Sequence, residues 1–371
     1  MKASEAASFG DITRRYIEEG HFPGAVLRVE RRGSLLHEEA WGEALHTESE
    51  SIPLATSIIF DLASVSKLFT TTAVLRLVTL GELRLESKAA DVLSGGLKAC
   101  HSPAIEGLEV RLRDSLGPVD IAALLAHSSG IHYWHPFYVS REHAFESILA
   151  DVLDAHPRRD EVIYSDLNFM ILGRIIESLT GLPLAVAVRK LVFEPLGLAR
   201  SSYSKPLGPA AAGEFGNRVE RRMVAELGLS FSGWRDESRP IIDEIDDGNC
   251  YYFFGGAAGH AGVFSDAHDL CRLGELYLDK GRLDGTDWLA PGLAERAMSE
   301  QGGGRGLGFQ LGENYPGGGC GHTGFTGTYI HVNEPAGLVI SILTNRLHVP
   351  EPRDINPYRR ELSKAALSAF A

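Results

Sequence analysis

The chain has 371 residues, with 36 Lys and Arg against 49 Asp and Glu, and a formal net charge of −13 near pH 7. That acidity, with no basic run interleaved with aromatics, argues against nucleic acid and against anionic membrane surfaces as partners. A hydrophobic content of 44% and a charged content of 23% are ordinary for a globular protein with a large core, in one or two domains.

The pattern predicts a first helix over residues 3–19, ended by Gly20. Residues 25–29 and 35–41 read as two strands around a turn at 31–34. A helix from near Ser64 to about Leu80 follows, and residues 95–117 read as turn-rich surface. Residues 119–198 are mainly helical, with breaks at 127–130, 134–136 and 157–160. Residues 200–260 are irregular and rich in glycine, proline, charge and aromatics. A loop that long implies a function such as shaping a cleft, with Trp234, Tyr251, Tyr252, Phe253 and Phe254 as candidate lining. Residues 265–278 read as a helix capped by Ser265. Segments 306–312, 327–332 and 337–343 read as antiparallel strands, and 354–370 as a final amphipathic helix. The fold class is therefore α+β. Both chain ends build an antiparallel sheet under terminal helices (an α/β part of about 1–60 and 290–371). A mostly helical region of about 61–289 is inserted, and the active site is expected in the cleft between the two.

Three segments hold candidate chemistry. In Ser64-Val65-Ser66-Lys67 the serine and lysine stand three residues apart at a helix start, so they share a face. Serine is a nucleophile only when a base takes its proton. A lysine amine is that base only where burial or a helix dipole lowers its pKa. An ordinary helix start, with a capping serine and a solvated lysine, has the same spacing. In Val162-Ile163-Tyr164-Ser165-Asp166-Leu167-Asn168, Tyr164 precedes an apolar helical run, where its hydroxyl could face a cleft or its ring could fill a core. In Gly321-His322-Thr323-Gly324-Phe325-Thr326-Gly327, glycines beside a strand allow close backbone approach or mark a tight turn.

In this order the three segments resemble the S-x-x-K, Y-x-N and K-[ST]-G or H-x-G motifs of the serine β-lactamase and penicillin-binding superfamily. The branch most resembled holds class C β-lactamases, family VIII carboxylesterases and D-amino-acid peptidases. Leu124-Leu125-Ala126-His127-Ser128-Ser129-Gly130, Phe193-Glu194-Pro195-Leu196-Gly197, residues 255–265 and Leu343-Thr344-Asn345-Arg346 extend the likeness over nearly the whole chain. The resemblance implies a β-lactamase-like fold, no cofactor and no metal. It implies hydrolysis of an ester, amide or peptide through an acyl-serine on Ser64, with Lys67 and Tyr164 sharing the proton traffic. The backbone N–H groups of Ser64 and Phe325 would hold the oxyanion, and His322, Thr323, Gly324, Asp166 and Asn168 would line the site. Two departures stand out. Asp166 replaces the usual Asn, and a carboxylate beside Lys67 favours its charged form. His322 replaces the lysine of class C β-lactamases and gives up a fixed positive charge. The first expectation is a carboxylesterase-like hydrolase. A D-amino-acid peptidase or weak β-lactamase is the alternative, and a penicillin-binding-like sensor that acylates without turnover is the reading from another class.

Other patterns lead elsewhere. Cys100, Cys250, Cys271 and Cys320 are widely spaced and read as free thiols. His132, His135 and His143 lack H-E-x-x-H spacing, so a metal is not expected there. Gly302-Gly303-Gly304-Arg305-Gly306-Leu307-Gly308 fits neither nucleotide-loop pattern and reads as a flexible turn. Asp243, Asp247 and Gly248 do not complete a calcium loop. His260, in a glycine run, is expected to make a structural hydrogen bond. No run of 18 apolar residues occurs and residues 1–8 lack an export-signal core. The expectation is a cytoplasmic protein as written, and a periplasmic or extracellular one if the sequence is a trimmed form. The sequence leaves the oligomeric state open.

Overall fold

The computed structural model describes residues 8–97 and 103–371. Cys100 lies outside them. Helix α1 (Phe9–Glu18) opens with reciprocal capping, in which the Ser8 hydroxyl accepts from the Asp11 N–H and the Asp11 carboxylate accepts from the Ser8 N–H. Strands β1 (Gly24–Arg31), β2 (Ser34–His46), β3 (Ser51–Pro53) and β4 (Phe60–Asp61) follow. A short 3₁₀ turn, Ala63–Val65, leads into α2 (Ser66–Thr79). The helical region comprises α3 (Ala89–Leu97), α4 (Pro103–Leu116), α5 (Ile121–Leu125), α6 (Phe145–Ala155), α7 (Asp166–Thr180), α8 (Leu184–Val188) and α9 (Glu194–Leu196). After β5 (Ser202–Tyr203) come α10 (Arg218–Glu226), β6 (Val263–Ser265), α11 (Ala267–Leu278), the hairpin β7 (Arg282–Leu283) and β8 (Thr286–Asp287), and α12 (Leu293–Met298). The chain closes with β9 (Cys320–Thr323), β10 (Tyr329–Asn333), β11 (Leu338–Thr344) and α13 (Asn356–Phe370).

The main sheet has the order β3-β2-β1-β11-β10-β9, antiparallel throughout. Register from Ala25↔Thr344 to Glu30↔Val339 joins the two ends of the chain, as the sequence led one to expect. Side chains alternate between faces. Ala25, Leu27, Val29, Ile340 and Ile342 share a core with Tyr16 of α1 and with Tyr358 and Leu362 of α13. Val26, Ile330, Val339 and Leu343 share the larger core with α11 and the helical region. Each such aliphatic side chain contributes roughly 1.5–3 kcal/mol on burial. Gly274 of α11 permits close seating on the sheet, since a Cβ there would lie 2.6 Å from a Val339 methyl.

The structure differs from the sequence reading in several places, among them α10, which lies inside the segment 200–260 read as irregular. Residues 103–116 form α4, because Pro103 suits a first helical turn and Leu112 and Leu116 find a core. Residues 306–312 make only isolated bridges, since Gly308 and Gly312 take φ of +79° and +102° and turn the chain. The cap of α11 is Asp266, whose carboxylate accepts the Asp269 N–H at 2.9 Å, and Ser265 is the last residue of β6. The aromatics of the long irregular segment are packing. Trp234 and Tyr252 sit with Tyr138 and Phe231 in a separate cluster, and Tyr251 lies under Arg235.

Candidate active site

The approach to α2 is tightly fixed. Ala63 adopts φ +45°, a left-handed conformation unusual for a residue with a side chain. Asp61 holds it by accepting the Ala63 N–H at 2.9 Å, while its other oxygen accepts the Asp246 N–H at 2.8 Å. The carbonyls of Asp61 and Leu62 accept the hydroxyls of Thr326 and Thr328 at 2.7 and 2.8 Å. These bonds pin the start of α2 to the loop between β9 and β10. Arg359 of α13 closes the loop from behind, donating to the carbonyls of Gly324 and Thr328 at 2.9 Å each. A Cβ on Gly324 would meet the Leu62 carbonyl at 2.6 Å, so only glycine fits. The loop that carries Phe325 is thereby tied to the segment that leads into Ser64. The Ser64 N–H is one of the leading donors that a helical turn leaves without an internal acceptor.

Ser64 is partly exposed and Lys67 is fully buried. The Lys67 ammonium donates to Ser64 Oγ at 2.9 Å and to the His260 carbonyl at 3.2 Å, and Asp166 Oδ1 stands 2.8 Å away. Burial pushes the Lys67 ammonium down, but Asp166 and Tyr164 beside it outweigh burial and hold its pKa above the usual lysine value. Asp166 is the first residue of α7, and its N–H is fixed to the Tyr133 carbonyl at 2.9 Å. The Asp-for-Asn departure in the second motif thus gives Lys67 a counter-charge.

The Tyr164 ring is surrounded by nitrogen groups. Lys67 Nζ lies 5.0 Å from its centroid, the Arg305 guanidinium carbon 4.9 Å, and the His127 and His322 rings 4.6 and 6.1 Å. His127 Nδ1 accepts the Ser165 N–H at 3.0 Å, which leaves the ring proton on Nε2. His322 is fully buried, and its Nδ1 donates to the Thr323 carbonyl at 2.8 Å. Burial first, then Lys67 nearby, pushes both imidazoles well below the usual histidine range, so both are neutral. A cavity of about 630 Å³, lined in part by Tyr164, Ile163, Val162, Tyr133, His132 and His156, opens beside this ring.

The expected site residues thus fall into two groups. Ser64, Lys67, Tyr164, Asp166 and His322 of β9 come together, and β9 runs on through Thr323 into the loop of Gly324 and Phe325, which is tied to the approach to α2. The Asn168 carboxamide does not join them. It is buried, accepting from the Ser129 hydroxyl at 2.7 Å and lying 3.4 Å from His127 Nδ1. Thr323 is tied to Gln310 at 3.2 Å. His260 pairs with Asp247 at 3.0 Å, the structural hydrogen bond expected of it, and also lends its carbonyl to Lys67. Sequence reasoning passed over Asp61, His127, Arg305 and Arg359. His127 alone stood in a segment already matched to the family, which was the visible signal among them.

A six-stranded antiparallel sheet under terminal helices, with a serine–lysine pair at the mouth of a helical region, defines the class. The beta-lactamase family model matches residues 9–364. The N-acetylmuramyl-L-alanine amidase of Bacillus subtilis (strain 168) is 28% identical over 363 residues, covering 89% of this chain and 78% of that protein. Penicillin-binding protein 4 of Amycolatopsis lactamdurans is 32% identical over 345 residues, covering 88% and 82%. The structure of EstCE1, described as a hydrolase with promiscuous acyltransferase activity, superposes with a TM-score of 0.68 at 19% identity, covering 97% of both chains. The chain belongs to the beta-lactamase family, and is a β-lactamase-like hydrolase. Among the described residues no single helix is long and apolar enough to cross a membrane.

Proposed function

We propose that the protein hydrolyses esters and amides through an acyl-serine on Ser64. The observation that carries this reading is the chain of contacts from Ser64 Oγ to Lys67 Nζ at 2.9 Å and on to Asp166 at 2.8 Å. Lys67 acts once its ammonium has given a proton to water, a loss that the Asp166 carboxylate beside it opposes. The amine then takes the Ser64 proton as the oxygen attacks the carbonyl carbon. The backbone N–H groups of Ser64 and Phe325 receive the oxyanion. Tyr164 passes a proton to the departing oxygen or nitrogen. Water then attacks the acyl-serine by the reverse proton path. The name of the amidase supports an amide bond as the substrate, and the description of EstCE1 as a hydrolase with acyltransferase activity is in keeping with an acyl-enzyme.

A second reading rests on one observation. Because Asp166 holds Lys67 charged, acylation without turnover is the behaviour of a penicillin-binding-like sensor. Release of p-nitrophenol from p-nitrophenyl butyrate separates the two. Product exceeding the protein by many equivalents, lost in Ser64→Ala, is the expected result. A single burst equal to the protein concentration supports the sensor.

A further inference from the structure

Resting on the acyl-serine reading, we infer that Asp61 is a positioning residue for Ser64, which aims the nucleophile by holding Ala63 in its left-handed conformation. Ala63 immediately precedes Ser64 and takes φ +45°. A residue with a side chain stays in that region only where its surroundings hold it there. The neighbouring backbone groups have other partners. The Leu62 N–H donates to the Val263 carbonyl at 2.9 Å, and the carbonyls of Asp61 and Leu62 accept the Thr326 and Thr328 hydroxyls. Among the described residues the Ala63 N–H has Asp61 Oδ1 alone, at 2.9 Å. The peptide plane between Ala63 and Ser64 carries the Ser64 N–H. The Ala63 torsions therefore direct both the serine and the donor that receives the oxyanion in the proposed mechanism.

A carboxylate is a costly way to hold a turn. Burial, with Asp246 and Asp247 nearby, pushes the Asp61 carboxyl up to about 7, and the backbone N–H groups of Ala63 and Asp246 pull it the other way. Its two oxygens do two jobs. One bonds the N–H two residues on, the local geometry that aspartate favours in turns. The other accepts the Asp246 N–H at 2.8 Å and anchors the turn to the long segment 200–260. The next residue, Asp247, pairs with His260 at 3.0 Å, and the His260 carbonyl accepts from Lys67 at 3.2 Å. The stretch Asp246-Asp247 thus reaches both ends of the Ser64–Lys67 pair. Through Asp61 it fixes the residue before the serine, and through His260 it fixes the lysine. A catalytic side chain keeps its geometry only when the groups behind it are themselves fixed, and this stretch supplies that support.

The test is the time course of fluorophosphonate labelling, read by intact mass. It gives a rate constant for adduct formation and a final labelled fraction for each variant. In Asp61→Ala the rate constant is expected to fall about tenfold or more with the final fraction unchanged, the scale of a lost hydrogen bond to a charged group. A role in stability alone would lower the labelled fraction and leave the rate constant of the folded molecules as in wild type. Glycine takes the left-handed conformation unaided. Ala63→Gly should therefore label at close to the wild-type rate, and adding it to Asp61→Ala should recover most of the loss. Asp61→Asn, which keeps one oxygen for the Ala63 N–H, should lie between. If Asp61→Ala does not fold, Asp61→Asn with and without Ala63→Gly decides in the same way. An unchanged rate constant, or a loss that Ala63→Gly does not recover, overturns the inference while leaving the acyl-serine intact. Failure of the wild type to label at Ser64 would instead overturn the underlying reading.

Discussion

Two cations border the Tyr164 ring and are treated in opposite ways. Lys67 is fully buried, with a carboxylate at 2.8 Å and a carbonyl at 3.2 Å. Arg305 is half-buried, with no ion pair among the described residues. Depth explains the difference. A charge fully out of water needs a partner of its own, and Asp166 is that partner for Lys67. A half-buried guanidinium keeps part of its hydration, and it lies over the Tyr164 ring.

The largest effect on the Lys67 side of this comparison should come from removing the proton-moving groups. Lys67→Ala and Tyr164→Phe are each expected to lower kcat by at least about 100-fold, a typical scale for general acid–base help. The double variant should be little worse than either single, because the two groups act as one unit. Steady-state rates on p-nitrophenyl butyrate check this, and losses that multiply would separate the two roles.

A subtler change should come from the counter-charge. In Asp166→Asn, burial of Lys67 is no longer opposed by a neighbouring carboxylate, so the lysine pKa falls. The neutral amine then becomes available at lower pH. The acidic limb of kcat/KM should therefore lie at higher pH in wild type than in Asp166→Asn. A pH profile of both proteins reads this directly, and coincident limbs would make Asp166 a purely structural partner of the α7 start.

Much of this contrast was legible before any coordinates, and some was not. The S-x-x-K spacing needs only a helical turn to bring Ser64 and Lys67 together, so local periodicity suffices. The terminal sheet was legible from apolar runs near both chain ends, and β1 and β11 lie between the two cores, buried on both faces. The effect of Asp166 on Lys67 could be anticipated because the second motif places it at a helix start aimed at the site. Asn168 was harder. Two residues further along α7 its side chain turns away, and the Ser129 hydroxyl takes it. Arg305 was hidden in a glycine run that reads as a flexible turn. Its place over the Tyr164 ring, with Gly303 against Val162, joins segments roughly 140 residues apart in the chain, which no local pattern encodes. The helix α4 was missed because glycines at 95, 96, 107 and 117 outweighed its leucines. Yet Gly107 faces open space, and the structure tolerates the roughly 1 kcal/mol that such a glycine costs.

The central claim is that Ser64, prepared by Lys67 and Asp166, forms the covalent bond to the acyl group. Peptide mass mapping after treatment with a fluorophosphonate, and separately with p-nitrophenyl butyrate trapped by acid quench, tests it most directly. The account predicts one adduct on the peptide containing Ser64, absent from Ser64→Ala. An adduct on another residue, with Ser64→Ala still turning over ester, would contradict it.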